Sequence, residues 1–260
     1  MAEVRSLPPR ALAKLIGHLG LEDAGEIVQL ATAEQIERVF DEDLWKSHGP
    51  GEDDTFDAAR FVVWLEILLE AGDTAAARRL AELPEDVVTL AFHRLAVVVD
   101  LDQLAVELSE GRAEDGDAIE KALESALSHE VGSYLVIARR HEGWDAVITA
   151  LAALDEEDHG ACTRLLDRCA ALALQESEDH GGLYELLSAE EMLEADVAGD
   201  RADRRAAEGF VAPSDAKSFL RLARATPLDR IANERRDPVT RTWFRELDRR
   251  PPSSAAPAPR

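Results

Sequence analysis

Residues 56–71 read FDAARFVVWLEILLEA, and this stretch decides the fold class. Phe61, Val62, Val63, Trp64, Leu65, Ile67, Leu68 and Leu69 leave almost no polar face. A helix that is apolar on nearly all sides is a central, buried one. Asp54 or Thr55 is placed to cap its start, after the loop His48-Gly49-Pro50-Gly51. Gly72 and Asp73 end it and open a short helix to Leu83. The same punctuation recurs upstream and downstream. Pro8 and Pro9 suit a first helical turn ahead of Leu12, Leu15, Ile16 and Leu19, and Gly20 stops that helix. Asp23 to Ala31 forms a second helix. Thr32 with Gln35 is a capping-box pattern for a helix carrying Ile36, Val39, Phe40 and Leu44. Pro84 opens another through Val87, Leu90, Ala91 and Leu95.

Past Leu95 the pattern predicts helices at 117–127, 130–140, 143–154, 160–176, 183–198 and 201–209, one from Ser214 to Ala225, and a short one over Val239–Leu247. Val97-Val98-Val99 and Tyr134–Ile137 have strand composition, but two isolated runs do not make a sheet. A repeat also runs through the first half. Leu7-Pro8-Pro9, Ala31-Thr32-Ala33 and Leu83-Pro84-Glu85 each lead into an apolar helix, and Ile36 and Val87 lie 51 residues apart. One helix pair cannot bury its own stripe, so neighbours stack. The expectation is an all-α protein, a curved, armadillo-like or α-solenoid-like stack of antiparallel helix pairs. Residues 1–110 form its helical-repeat N-terminal region and 111–250 a helical C-terminal region packed on it. Residues 251–260, PPSSAAPAPR, form a disordered tail.

LPPRALAKLI and EDAGEIVQLATAEQIERVF resemble the helical superhelix of the cytoplasmic N-terminal domain of certain bacterial magnesium transporters, over roughly residues 6–95. The resemblance implies an armadillo-like stack of short helices. The longer chain is similar to an uncharacterised bacterial family, a domain of unknown function that starts with the same LPP segment. LSAEEMLEADVAGDRADRRAAEGFVAPSDAKSFLRLA supports that likeness through Glu190, Glu191, Glu194, Arg201, Arg204, Arg205, Gly209, Phe210, Pro213 and Asp215, extending it to about residue 225. It implies no catalytic residue. The transporter's membrane part and sensor domains have no counterpart here, so it implies no transport.

Charge narrows the function classes. The 260 residues hold 53 acidic and 29 basic side chains, a net charge of −24. Residues 1–200 carry −30, whereas residues 201–260, with 14 basic against 8 acidic groups, carry +6. An acidic body repels phosphates, which excludes nucleic acid as its partner. No apolar run reaches the ~18 residues of a membrane span. MAEVRSLPPR lacks a signal-peptide core, so the protein is expected in the bacterial cytoplasm.

The chemistry-bearing residues give no catalytic set. Cys162 and Cys169 are two turns apart on one helix face, with His159 and His180 nearby, but their spacing matches no standard zinc site, and both thiols read as core. His141-Glu142-Gly143-Trp144-Asp145 differs from HExxH in its last residue, and Gly143 weakens the helix the motif needs. Acidic runs such as Asp41-Glu42-Asp43, Glu52-Asp53-Asp54 and Asp155-Glu156-Glu157-Asp158 fall where they cap helices, and no cofactor motif is present. Trp45, Trp64 and Trp144 read as core. Trp243 lies instead beside Phe244, Arg241, Arg245, Arg249 and Arg250, the composition of an interface anchor. The leading expectation is a non-enzymatic helical scaffold or adaptor that binds a protein partner through the acidic body and this basic segment. The alternatives are a divalent-cation-responsive regulatory module, and an enzyme with a site near Cys162 and His159.

Overall fold

The computed structural model describes residues 2–49, 52–109, 127–178 and 188–225. Its first helices are Ala2–Ser6 (α1), Pro9–Leu19 (α2), Gly25–Leu30 (α3, after a 3-10 turn at Glu22–Ala24) and Ala33–Asp43 (α4). An antiparallel strand pair, Trp45–Lys46 (β1) and Thr55–Phe56 (β2), leads to Ala58–Glu70 (α5), Asp73–Glu82 (α6) and Glu85–Leu95 (α7). Ala96–Asp100 (β3), Leu101–Ser109 (α8), Ser128–Val131 (β4) and Tyr134–Ala138 (β5) follow. Trp144–Glu157 (α9), His159–Glu178 (α10), Ala189–Ala207 (α11) and Pro213–Ala225 (α12) complete the described chain.

The apolar helix α5 is central, as its composition requires. Phe61, Trp64 and Leu65 are fully buried, and α6 and α9 pack against it and each other. Phe40 meets the Trp64 ring edge-on at 4.9 Å, and the indole Nε1 donates to Asp43 Oδ2 at 2.7 Å, so the one polar atom of this large side chain is satisfied. Trp45 and Trp144 are half-buried against the same core. Asp57 caps α5, its Oδ1 accepting from the Arg60 amide at 3.1 Å. The cap lies beyond the expected Asp54 or Thr55 because Thr55 and Phe56 are used in β2.

Local punctuation folds as read elsewhere. Gly20 and Gly72 close α2 and α5 with φ of +92° and +103°. Thr32 and Gln35 form the capping box, with reciprocal bonds of 3.2 and 2.9 Å. Gln35 also donates to Val4 O and Leu7 O, tying α1 to α4. Thr32→Ala is expected to cost about 1 kcal/mol, read as a lower urea midpoint with unchanged slope.

The all-α expectation is corrected to a mainly helical fold with two small sheets. The helix predicted at 130–140 is instead most of a three-stranded antiparallel sheet of order β3-β5-β4. Val131-Gly132-Ser133-Tyr134 is a two-residue hairpin turn with Gly132 at φ +60°, a conformation that glycine adopts without a Cβ clash. β3 pairs with β5 from Ala96↔Ala138 to Asp100↔Tyr134, which brings the two strand-like runs together. The helices predicted at 183–198 and 201–209 are one helix, α11, running through Gly199. Of the helix expected at 117–127 only Leu127 is described, and it is not helical. Val239–Leu247 and the tail 251–260 lie outside the described residues.

Contacts cross the sequence widely. α9 lies on α5 and α6, α10 on α7 and β3, and α11 on α7. One cluster of buried apolar side chains runs from Leu12 to Val197, so residues on both sides of the expected boundary at 110 share a core. Among the described residues no helix is long and apolar enough to cross a membrane.

Candidate functional site

Arg241, Trp243, Phe244, Arg245, Arg249 and Arg250 lie outside the described residues. The start of the basic segment is described, and it docks on the acidic body. Ser188 opens α11 with a capping box to Glu191. Val197, Arg201 and Arg204 then recur at helical spacing on the face turned to α4 and β1. Arg201 is buried. Its Nε donates to the Asp41 carbonyl at 2.6 Å and its Nη2 to Asp54 Oδ2 at 3.0 Å, while the guanidinium lies 4.6 Å over the Trp45 ring. Burial lowers its proton affinity and the Asp54 bond opposes that. Arg204 grips Asp41 with two bonds, of 2.9 and 2.6 Å, and reaches Glu37 at 3.0 Å. These bonds raise its proton affinity above the ordinary arginine value. Arg205 and Arg10 both sit over Phe210, at 4.6 and 4.3 Å.

The other end of α11 is held by Arg94 of α7. Its Nε donates to Glu190 at 2.8 Å and its Nη2 to Glu194 at 2.7 Å. Partial burial works against the charged form, but the two carboxylates outweigh it and raise the proton affinity.

Cys162 and Cys169 are fully buried on α10, with Sγ contacts of 3.7 Å to the Leu151 and Thr89 carbonyls. Burial pushes both thiols up to about 12. Ellman's reagent is therefore expected to titrate neither in the native protein and both in denaturant. His159 is exposed and bonded to Asp155 at 2.7 Å, whereas the Cys162 thiol is buried. Gly143 is the N-cap of α9 at φ +75°, which puts His141 before the helix and Asp145 inside it, on no common helix face. Among the described residues no group of three or more His, Cys, Asp or Glu side chains is placed to hold a metal ion.

The sequence reading missed a cleft of about 540 Å³ between the β1–β2 pair, the end of α7 and the turn from β5 to α9. Lys46, Arg94, Arg139 and Arg140 line it, against only two carboxylates, Asp57 and Glu190. His48 Nε2 and Thr55 Oγ1 meet at 2.8 Å on its wall. The Arg139 amide donates to Leu95 O at 3.0 Å, which fixes the turn carrying both consecutive arginines. Among the described residues neither Lys46 nor Arg140 has an ion-pair partner.

A family model described as a family of unknown function, DUF6178, matches residues 1–180. The chain belongs to this family. The DUF6178 span holds all four cations of the cleft and the acidic groups Glu37, Asp41 and Asp54 that receive the arginines of α11. The arginines themselves, and the second-half segment that supported the likeness, lie beyond the DUF6178 match. No curated protein and no solved structure matches the chain.

Proposed function

We propose that this chain is a cytoplasmic, non-enzymatic helical scaffold or adaptor. In this reading its helix pairs stack as in the transporters' cytoplasmic domain. It binds a protein partner through its acidic body and the basic segment that carries Arg241, Trp243, Phe244, Arg245, Arg249 and Arg250. One observation supports the reading most: Glu37, Asp41 and Asp54 form an acidic face that takes up two arginines of a helix, Arg201 and Arg204. A surface of that kind selects arginine-bearing partners by planar, bidentate pairing. The test is a pull-down with the full chain at low salt and at about 1 M salt, where the Debye length is about 3 Å. A partner captured at low salt, released at high salt and lost with Trp243→Ala/Arg245→Ala is the expected result. No partner above background in either condition overturns it.

A further inference from the structure

We propose that the cationic cleft binds a small ligand carrying a phosphate monoester. The proposal rests on the cleft alone and is independent of the protein-binding reading. Acidic side chains outnumber basic ones by 53 to 29 in this chain. A cleft lined without selection would show that excess, yet this one has four cations to two carboxylates. With neutral histidines its formal lining charge is +2, or +1 with Glu194, which bonds Arg94 and the Phe56 amide from beside it. Either is opposite in sign to a phosphomonoester near neutral pH, whose second ionisation has a pKa of about 6. Arg94 is held by Glu190 and Glu194, so its charge is already answered. Lys46 and Arg140 are not so answered among the described residues, and they come from segments nearly a hundred residues apart. Like charges gathered from distant segments repel, and a bound oxyanion removes that repulsion. Arginine forks match phosphate oxygens two at a time, and lysine adds a point charge. Phe56, Ala58 and Ala59 supply an apolar wall for the organic part of the ligand, and about 540 Å³ is the size of a small-molecule site.

Lys46 and Arg140 are exposed, so a Lys46→Gln/Arg140→Gln variant of the full chain is expected to fold, with a Tm in the absence of ligand no lower than that of the parent chain. Tm is followed while inorganic phosphate, phenyl phosphate, succinate or sodium chloride is titrated at matched ionic strength, with phosphorus NMR line broadening as the direct readout. Phosphate is expected to raise Tm progressively beyond the chloride response, and phenyl phosphate to act at lower concentration because of the Phe56 wall. The double variant is expected to weaken both by about tenfold or more. A phosphate response no larger than that to chloride or succinate overturns the proposal, and so does a response undiminished in the double variant. Phenyl phosphate binding no tighter than phosphate overturns the ester and leaves a site for the free ion.

Discussion

Gly143→Ala is expected to lower the stability of the native protein by about 3 kcal/mol or more, through two effects that add. The residue sits at φ +75°, where an L-residue with a Cβ costs about 1–2 kcal/mol. The new Cβ would also stand 2.0 Å from Val62 Cγ1, with Val62 Cβ and Cγ2 both at 3.1 Å. Val62 lies on the central helix α5 and is buried, so the contact cannot be relieved by swinging a flexible chain end, and overpacking of this kind costs a further 1–3 kcal/mol or so. Gly132→Ala is the matched control. Its φ is +60° and nothing lies within 4 Å of the added Cβ, so only the backbone effect of about 1–2 kcal/mol is expected. Urea unfolding of the two variants separates the contributions. Equal losses would show that Val62 and the α9 start are not in tight contact. Val62→Ala added to Gly143→Ala should recover part of the loss, because neighbouring substitutions are not additive.

Asp41→Ala is the second large effect, at about 3–5 kcal/mol. The Asp41 carboxylate is nearly buried, accepts both bonds of Arg204 and has Arg38 at 3.6 Å. Removing it takes away both short bonds of Arg204 and leaves that largely buried guanidinium with Glu37 alone and Arg38 with Glu208, and breaking an ion pair withdrawn from water is costly. Loss of the α11 contact should follow, read as faster amide exchange over Leu193–Arg205 than over α5. The pair Arg78–Glu157 makes the contrast. Arg78 is well exposed, and Glu157→Gln is expected to leave the unfolding midpoint unchanged. If Asp41→Ala is as mild as that change, the α11 arginines are surface decoration rather than a dock.

What was legible in the sequence is what short-range chemistry decides. The all-apolar face of Phe61 to Leu69, the Thr32 cap and the stops at Gly20 and Gly72 each depend on residues within a turn or two, and each appears in the structure. The sheet was half legible. Val97–Val99 and Tyr134–Ile137 both carried strand composition, but their pairing joins residues more than thirty positions apart, which no periodicity reports. The turn that settles it, Gly132-Ser133 between Val131 and Tyr134, is a two-residue hairpin signal in plain sight. The charge split pointed to the basic segment, and its described part does meet the acidic body at Asp41 and Asp54. The cleft was not legible, because Lys46, Arg94 and Arg139–Arg140 come from three separate segments. Its one local sign was the adjacent pair Arg139-Arg140, a pattern that also occurs at Arg78-Arg79 and Arg204-Arg205.

The placement of α9 over α5 and α6 sets an order of events during synthesis. The most apolar helix among the described residues ends at Glu70, but α9, which covers one side of it, ends at Glu157. At about 5–20 residues per second, that interval lasts roughly 4–17 seconds. Over that time α3, α6 and α7 can cover part of this helix, but the side that α9 takes stays bare on the ribosome-bound chain. Any chain that stops short of Trp144 keeps that surface permanently, so premature termination in this stretch should yield insoluble or chaperone-bound fragments rather than a smaller working protein.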